Sequence, residues 1–141
     1  MSGVVIDASI LVKLYVNEVG SLEAEQAVTD ADLILAPDLL LAETANILWK
    51  YVCRDELSTA DANRILSDIL QMPLRLTASS DLVEPALKIA IETNRTVYDS
   101  LYVALAIQAA SFLITADERL TNALAATPYN GHVRHVGGAQ S

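Results

Sequence analysis

Val4-Val5-Ile6-Asp7-Ala8-Ser9 governs the reading of the whole chain: an apolar, β-branched run that stops at an acid, with small residues after it. Apolar at consecutive rather than alternate positions, such a run predicts a short strand buried on both faces. The same pattern returns downstream. Residues 32–36 form a second apolar run ended by Pro37, which suits the first turn of a following helix. Residues 73–77, 112–115 and 132–136 predict three more strands, the last before a Gly-Gly tail. Between them lie segments with helical spacing. They cover residues 9–18 (closed near Gly20), 21–29, 37–54, 58–71, a stretch capped by Ser79 or Ser80 and stopping at Asn94, 97–110 and 117–126. The segment 97–110 is apolar on nearly every side and is therefore expected to be buried. Strands alternating with helices predict an α/β fold. We expect a single domain over residues 1–141 with its core at about 4–136, built on a mostly parallel central sheet of about five strands flanked by helices.

The totals bound the function. At 141 residues, 52% apolar and 19% charged, the chain is globular and long enough for one real core. Its high apolar content for this size suggests that some surface covers a partner. Eighteen acids against nine bases give a net charge of -9, unfavourable for holding nucleic acid through phosphate contacts alone. That objection weakens if some acids serve as ligands for cations, because a bound metal reverses the local field. The single cysteine, Cys53, excludes an internal disulfide and a Cys-based zinc site, and its apolar helical setting predicts a packed core thiol. The start lacks a basic leader, and the longest uncharged stretch, 100–116, is too short to span a bilayer. A cytoplasmic chain without a membrane segment is expected.

Four acids stand out. Asp7 and Asp117 follow apolar runs, where open α/β sheets bind their ligands. Glu43 lies inside a helix with Leu40 and Ile47 at minus three and plus four, and Asp99 opens the apolar helix that continues through Leu101-Tyr102-Val103-Ala104-Leu105. An ionised carboxylate on an apolar face is costly to bury unless it is paired, hydrogen-bonded or bound to metal. The bases nearest in sequence to Glu43 and Asp99 are Lys50, Arg54 and Arg95. Oxygen donors without His or Cys point to Mg2+ or Mn2+ rather than zinc, and such a cluster suits phosphodiester hydrolysis by metal-activated water. Each acid has a plainer reading. Asp7 is equally placed to cap a helix. Thr115 and Glu118 fit a capping box around Asp117, Asp99 suits a first-turn partner of the helix dipole, and Glu43 could meet Lys or Arg in a core salt bridge.

Four segments in this order resemble the PIN-domain family, and in size and arrangement the VapC-type ribonuclease toxins. They are Val5-Ile6-Asp7-Ala8-Ser9, Leu41-Ala42-Glu43-Thr44-Ala45-Asn46, Tyr98 through Ala106, and Leu113-Ile114-Thr115-Ala116-Asp117-Glu118-Arg119-Leu120. The resemblance implies that Asp7, Glu43, Asp99 and Asp117 form an acidic pocket. Asp7 and Asp99 would be the first Mg2+ ligands, and Glu43 and Asp117 would complete a second site or hold metal-bound water. Ser9 and Thr115 match supporting hydroxyls, and Asn46 fits a supporting role one turn after Glu43; helix caps and a surface amide are the plain alternatives for these three. The family also implies metal-dependent endonucleolytic cleavage of RNA, a homodimer, and a cognate VapB-like antitoxin that carries the operator-DNA binding itself.

Two other classes compete: a catalytically inactive PIN-like interaction module, and a related DNA nuclease. An aspartyl-phosphate enzyme fits less well, because Ser9 stands where a second Asp is usual. For gripping RNA the candidates are Lys13, Lys50, Arg95 and Arg119, each equally readable as solvated surface. His132 and His135 read as edge-strand residues rather than catalysts. Trp49 and the five tyrosines could stack bases, though within its helix Trp49 suits core or dimer surface better.

Overall fold

Five short strands pair in parallel to make one sheet: β1 (Gly3–Ile6), β2 (Leu33–Pro37), β3 (Leu74–Thr77), β4 (Leu113–Thr115) and β5 (Val133–His135). Their spatial order is β3-β2-β1-β4-β5. The helices between them are α1 (Ala8–Lys13), α2 (Ser21–Thr29), α3 (Leu39–Cys53), α4 (Thr59–Leu70), α5 (Val83–Thr93), α6 (Val97–Gln108) and α7 (Glu118–Leu124). This computed structural model describes residues 3–137; residues 1–2 and 138–141, which hold the extreme start read against a leader and most of the Gly-Gly tail, lie outside the described residues. The α/β architecture with a parallel five-stranded sheet is the one the sequence predicts.

The chain begins in the middle of the sheet, winds outward through β2 and β3, then crosses back through α5 and α6 to add β4 and β5 on the other side. The winding direction therefore reverses between β1 and β4, and a crevice opens beyond their carboxyl ends. Hydrophobic burial fixes this arrangement. Val5, Ile6 and Leu113 are fully buried, and α6 lies against β1 and β2 with Leu101 through Ala106 all buried. Burying one Leu or Val side chain contributes about 1.5–3 kcal/mol, so α6 is firmly seated. Its first turn, which bears Asp99, is carried to the crevice with it.

Several local expectations change. α1 ends at Lys13 rather than at residue 18, because the Lys13 ammonium turns to Glu18 (2.9 Å) and to the Val19 carbonyl (2.8 Å) and closes a loop instead. That loop ends at Gly20, whose φ of 90° favours glycine. Pro37 finishes β2 instead of starting the next helix. Ser79 does not cap α5; its backbone N–H and hydroxyl donate to the Asp38 carboxylate across the β2 and β3 ends. Asn94 does stop α5, in the left-handed conformation that Asn tolerates. Cys53 is exposed rather than packed, since it falls off the buried stripe of Leu40, Thr44 and Leu48 on α3. Among the described residues no helix is long and apolar enough to cross a membrane.

Candidate active site

Asp7 follows β1 directly and caps α1. Its Oδ1 accepts from the Ser9 hydroxyl (2.5 Å) and the Ile10 N–H (3.3 Å), and its Oδ2 accepts from the Thr115 hydroxyl. Both hydroxyl oxygens also accept: Ser9 Oγ from the Ala116 N–H and Thr115 Oγ1 from the Asp117 N–H, each at 3.0 Å. Ser9 and Thr115 thus stitch the end of β1 to the end of β4 across the point where the winding reverses. Capping and site-building coincide at Asp7, and the plain reading does not compete with the functional one.

Asp117 caps α7, its Oδ1 accepting from the N–H groups of Arg119 (3.0 Å) and Leu120 (3.2 Å). The capping box of Thr115 and Glu118 does not form. Thr115 is still in β4, fully buried and committed to Asp7, while the Glu118 side chain is mostly exposed. Asp99 owes its place to two punctuation residues: Asn94 ends α5, and Thr96 starts α6 by accepting from the Asp99 N–H at 3.0 Å. Glu43 projects from the middle of α3, at the flank of the buried stripe. Its Oε1 accepts from the Tyr102 hydroxyl at 2.5 Å, not from a lysine or arginine as the core salt bridge would require.

All four acids line one hollow of about 270 Å3, together with Ser9, Asn46, Lys50 and Tyr102. Thr115 stands behind Asp7. Sequence reasoning missed Tyr102, which holds Glu43. Its only signal was position three after Asp99 on the same helix, and that was hidden inside an apolar run. Of the basic candidates, Lys50 lines the hollow, Lys13 is spent on Glu18, and Arg95 binds Asp99 Oδ2 at 3.2 Å. An arginine of the chain therefore does meet one of the acids, but by a single nitrogen, and the hollow remains lined by carboxylates. His132 and His135 bind backbone carbonyls of Ser111 (2.9 Å) and Ala116 (3.2 Å) and stay out of the hollow. Trp49 is 61% exposed, against α4, and does not belong to the core.

Electrostatics ties the acids together. Burial pushes the Asp7 carboxyl above the usual range; the Ser9 and Thr115 hydroxyls and the Ile10 N–H pull it down, and the Asp117 charge raises it further. Burial likewise raises Glu43, against the Tyr102 hydrogen bond, and the charges of Asp7 and Asp99 add to the rise. Asp99 is raised by burial and by Asp117 despite the opposing Arg95. The Tyr102 hydroxyl is pushed upward by burial and by Glu43, so it remains a donor. Three carboxyls that resist ionisation, each raised further by a neighbouring charge, make a strongly electronegative crevice.

The donor set suits a hard divalent cation in kind, being entirely oxygen. Glu43, Asp99 and Asp117 are each held through one oxygen, and among the described residues no hydrogen bond engages Glu43 Oε2, Asp99 Oδ1 or Asp117 Oδ2. Among the described residues no three His, Cys, Asp or Glu side chains close around a single point, so the acids ring the hollow rather than form a finished chelate.

The PIN domain family model matches residues 4–124. A curated relative, Ribonuclease VapC3 of Pyrobaculum aerophilum, is 36% identical over 118 residues, covering 82% of this chain and 90% of the relative. The crystal structure of PAE2754 from Pyrobaculum aerophilum superposes with a TM-score of 0.70 at 22% identity, over 96% of this chain and 85% of the other. A toxin-antitoxin complex from Klebsiella pneumoniae contains a chain with a TM-score of 0.68 at 19% identity, over 94% of this chain and 97% of its own. At these identities the two structures speak for the fold.

Proposed function

The chain belongs to the PIN-domain family, beside the VapC ribonucleases, and on that premise we propose that it is a VapC-type endoribonuclease toxin that hydrolyses RNA phosphodiester bonds with Mg2+ or Mn2+. One observation carries the reading: four carboxylates from separate stretches of chain line the same crevice, and neighbouring charges oppose the ionisation of Asp7, Glu43 and Asp99. Such a cluster destabilises the chain unless a cation serves it. Asp7 and Asp99 would hold the ion, with Glu43 and Asp117 completing its surroundings or holding water. The chemistry such an ion would supply is activation of water and neutralisation of charge on the leaving oxygen.

The remaining work falls to the chain itself. Ser9 and Thr115 fix the Asp7 carboxylate so that it need not reorganise. Tyr102 restrains Glu43 by one oxygen and leaves Oε2 free to accept from water. Asn46 lines the hollow one turn beyond Glu43, suitably placed to bind substrate or water. Arg95 offsets part of the Asp99 charge.

Exposed apolar residues support protein partners: Val19, Leu22 and Trp49 are each more than half exposed. A VapB-like antitoxin would cover such a surface and carry operator-DNA binding, for which a net charge of -9 equips this chain poorly. Leu87 and Ile91, four apart on α5, are also exposed and would serve a homodimer. RNA, such a partner and the absence of a spanning helix among the described residues agree with a cytoplasmic setting.

The test is cleavage of a labelled RNA by the purified chain with Mn2+, with and without EDTA, and by Asp99→Asn. We expect EDTA and the substitution each to abolish cleavage while the variant keeps its fold by circular dichroism. Cleavage surviving either treatment would overturn the assignment. An inactive module with purely structural acids would bind no Mn2+ by calorimetry.

A further inference from the structure

The acidic hollow does not end at its acids. A shallow trough lined by Leu39, Ala42, Glu43, Asn46 and Tyr98 adjoins it, and Glu43 and Asn46 belong to both. Positions 39, 43, 46 and 50 recur at helical spacing, so one face of α3 floors both depressions. From Leu39 to Lys50 that face runs ~16 Å at the helical rise per residue. The two depressions together make one groove that runs along α3 past the carboxylates.

The two ends carry different chemistry. At one end Tyr98 is 63% exposed, directly before Asp99. Tyr51, Tyr102 and Tyr129 each donate to a glutamate, whereas the Tyr98 hydroxyl has no hydrogen bond among the described residues. Its ring is held by the start of α6 and offers its surface to solvent. At the other end Lys50 lines the acid hollow and is exposed. Lys13, Arg54, Arg64, Lys88 and Arg95 all pair with carboxylates, but Lys50 forms no ion pair among the described residues although four acids share its hollow. Its ammonium, on a flexible stem, is available to a phosphate.

We propose that a single RNA strand lies along α3, with one base stacked on Tyr98, the scissile phosphate over the acids and a flanking phosphate held by Lys50. The proposal rests on the ribonuclease reading above. It also answers the charge objection: a chain with a net charge of -9 cannot hold RNA by general attraction, so its grip rests on stacking and a single local cation. Any base offers a face to the ring, so Tyr98 supplies grip without sequence choice. A duplex, whose bases are already stacked, gains nothing there.

The test is steady-state cleavage of a labelled single-stranded RNA with Mg2+ over a range of salt, using Tyr98→Ala, Tyr98→Phe, Lys50→Ala and Lys50→Arg. Both side chains are exposed, so unfolding temperatures should match the parent. Tyr98→Ala should lose about tenfold in kcat/KM, chiefly through KM, as loss of one stacked base requires. Tyr98→Phe should restore it. Lys50→Ala should weaken binding and lower the salt slope by about one, with Lys50→Arg recovering the slope. If the parent cuts RNA and both alanine variants stay within twofold of it, the path is wrong and the ribonuclease reading stands. If the parent does not cut, fluorescence anisotropy with the same RNA decides: binding lost in Tyr98→Ala keeps the path, and binding absent or unchanged overturns it. A Tyr98→Ala loss that Phe does not restore overturns the stacking role.

Discussion

Two hollows of similar size border the same pair of strands. One, of about 310 Å3, is walled by Val4, Phe112, Ile114 and Val136, with Asp30 and Arg134 at its margin. The other, of about 270 Å3, lies beyond the carboxyl ends of β1 and β4. In the first, Arg134 lies over the Phe112 ring, 3.7 Å from its centre, so its charge is spent on a neighbour. In the second, four carboxylates are brought together, and among the described residues only Asp99 pairs with a cation, Arg95. Concavity is common to both; only the acid hollow holds like charges that work against the stability of the fold. Strain of that kind marks a site kept for its chemistry.

The sharpest way to break the contrast is Asp7→Asn. It should lower RNA cleavage by about 10³-fold or more, since several kcal/mol of charge stabilisation go with the carboxylate. The unfolding temperature in EDTA should stay level or rise, because an enclosed charge has been removed. A marked fall in stability with activity retained would show Asp7 to be only a cap. Thr115→Val comes next. With one hydroxyl gone, Asp7 loses an anchor and the Asp117 N–H loses its acceptor, and Mn2+ affinity by calorimetry should drop about 10–100-fold. Tyr102→Phe should be milder, up to about tenfold in kcat, and unchanged rates would deny Tyr102 any part in placing Glu43.

Acidity provides a quieter test. A carboxyl whose folded pKa lies above its unfolded value keeps its proton where the unfolded chain has released it. The folded chain then binds more protons, and stability falls as pH rises through that window. Asp7, Glu43 and Asp99 are all raised, from ordinary values of 3.8, 4.5 and 3.8. Without metal the unfolding temperature should therefore fall as pH rises above the ordinary carboxylate range, and saturating Mn2+ should flatten the trend. A flat profile in EDTA would mean that the acids do not oppose one another. The smallest effect belongs to the apolar hollow. Arg134→Ala should cost about 0.5–1 kcal/mol in urea unfolding and leave cleavage within twofold; a larger loss of activity would make that hollow functional too.

Much of this was readable in the residues. The alternation of apolar runs and helical stretches was enough for the sheet, because parallel strands buried on both faces need no alternating pattern. Glu43 and Asp99 stood out because an unpaired charge on an apolar helix face is expensive, and Asp7 and Asp117 because each follows an apolar strand run. What escaped depended on contacts between distant positions. Tyr102 looked like core until its hydroxyl met Glu43, 59 residues away. Thr115 read from local pattern alone as a helix cap, only the family resemblance marked it as a supporting hydroxyl, and strand pairing sets it behind Asp7. The end of α1 moved because Lys13 closes a local loop onto Glu18, five residues on, and the end of β2 is tied by Asp38 to Ser79, 41 residues away.

The Asp7–Thr115 bond joins positions 108 apart in the chain. A polypeptide still growing on the ribosome owns the carboxylate long before it owns the hydroxyl that anchors it, and Asp117 arrives later still. The acidic hollow is therefore complete only once β4 has emerged and paired with β1.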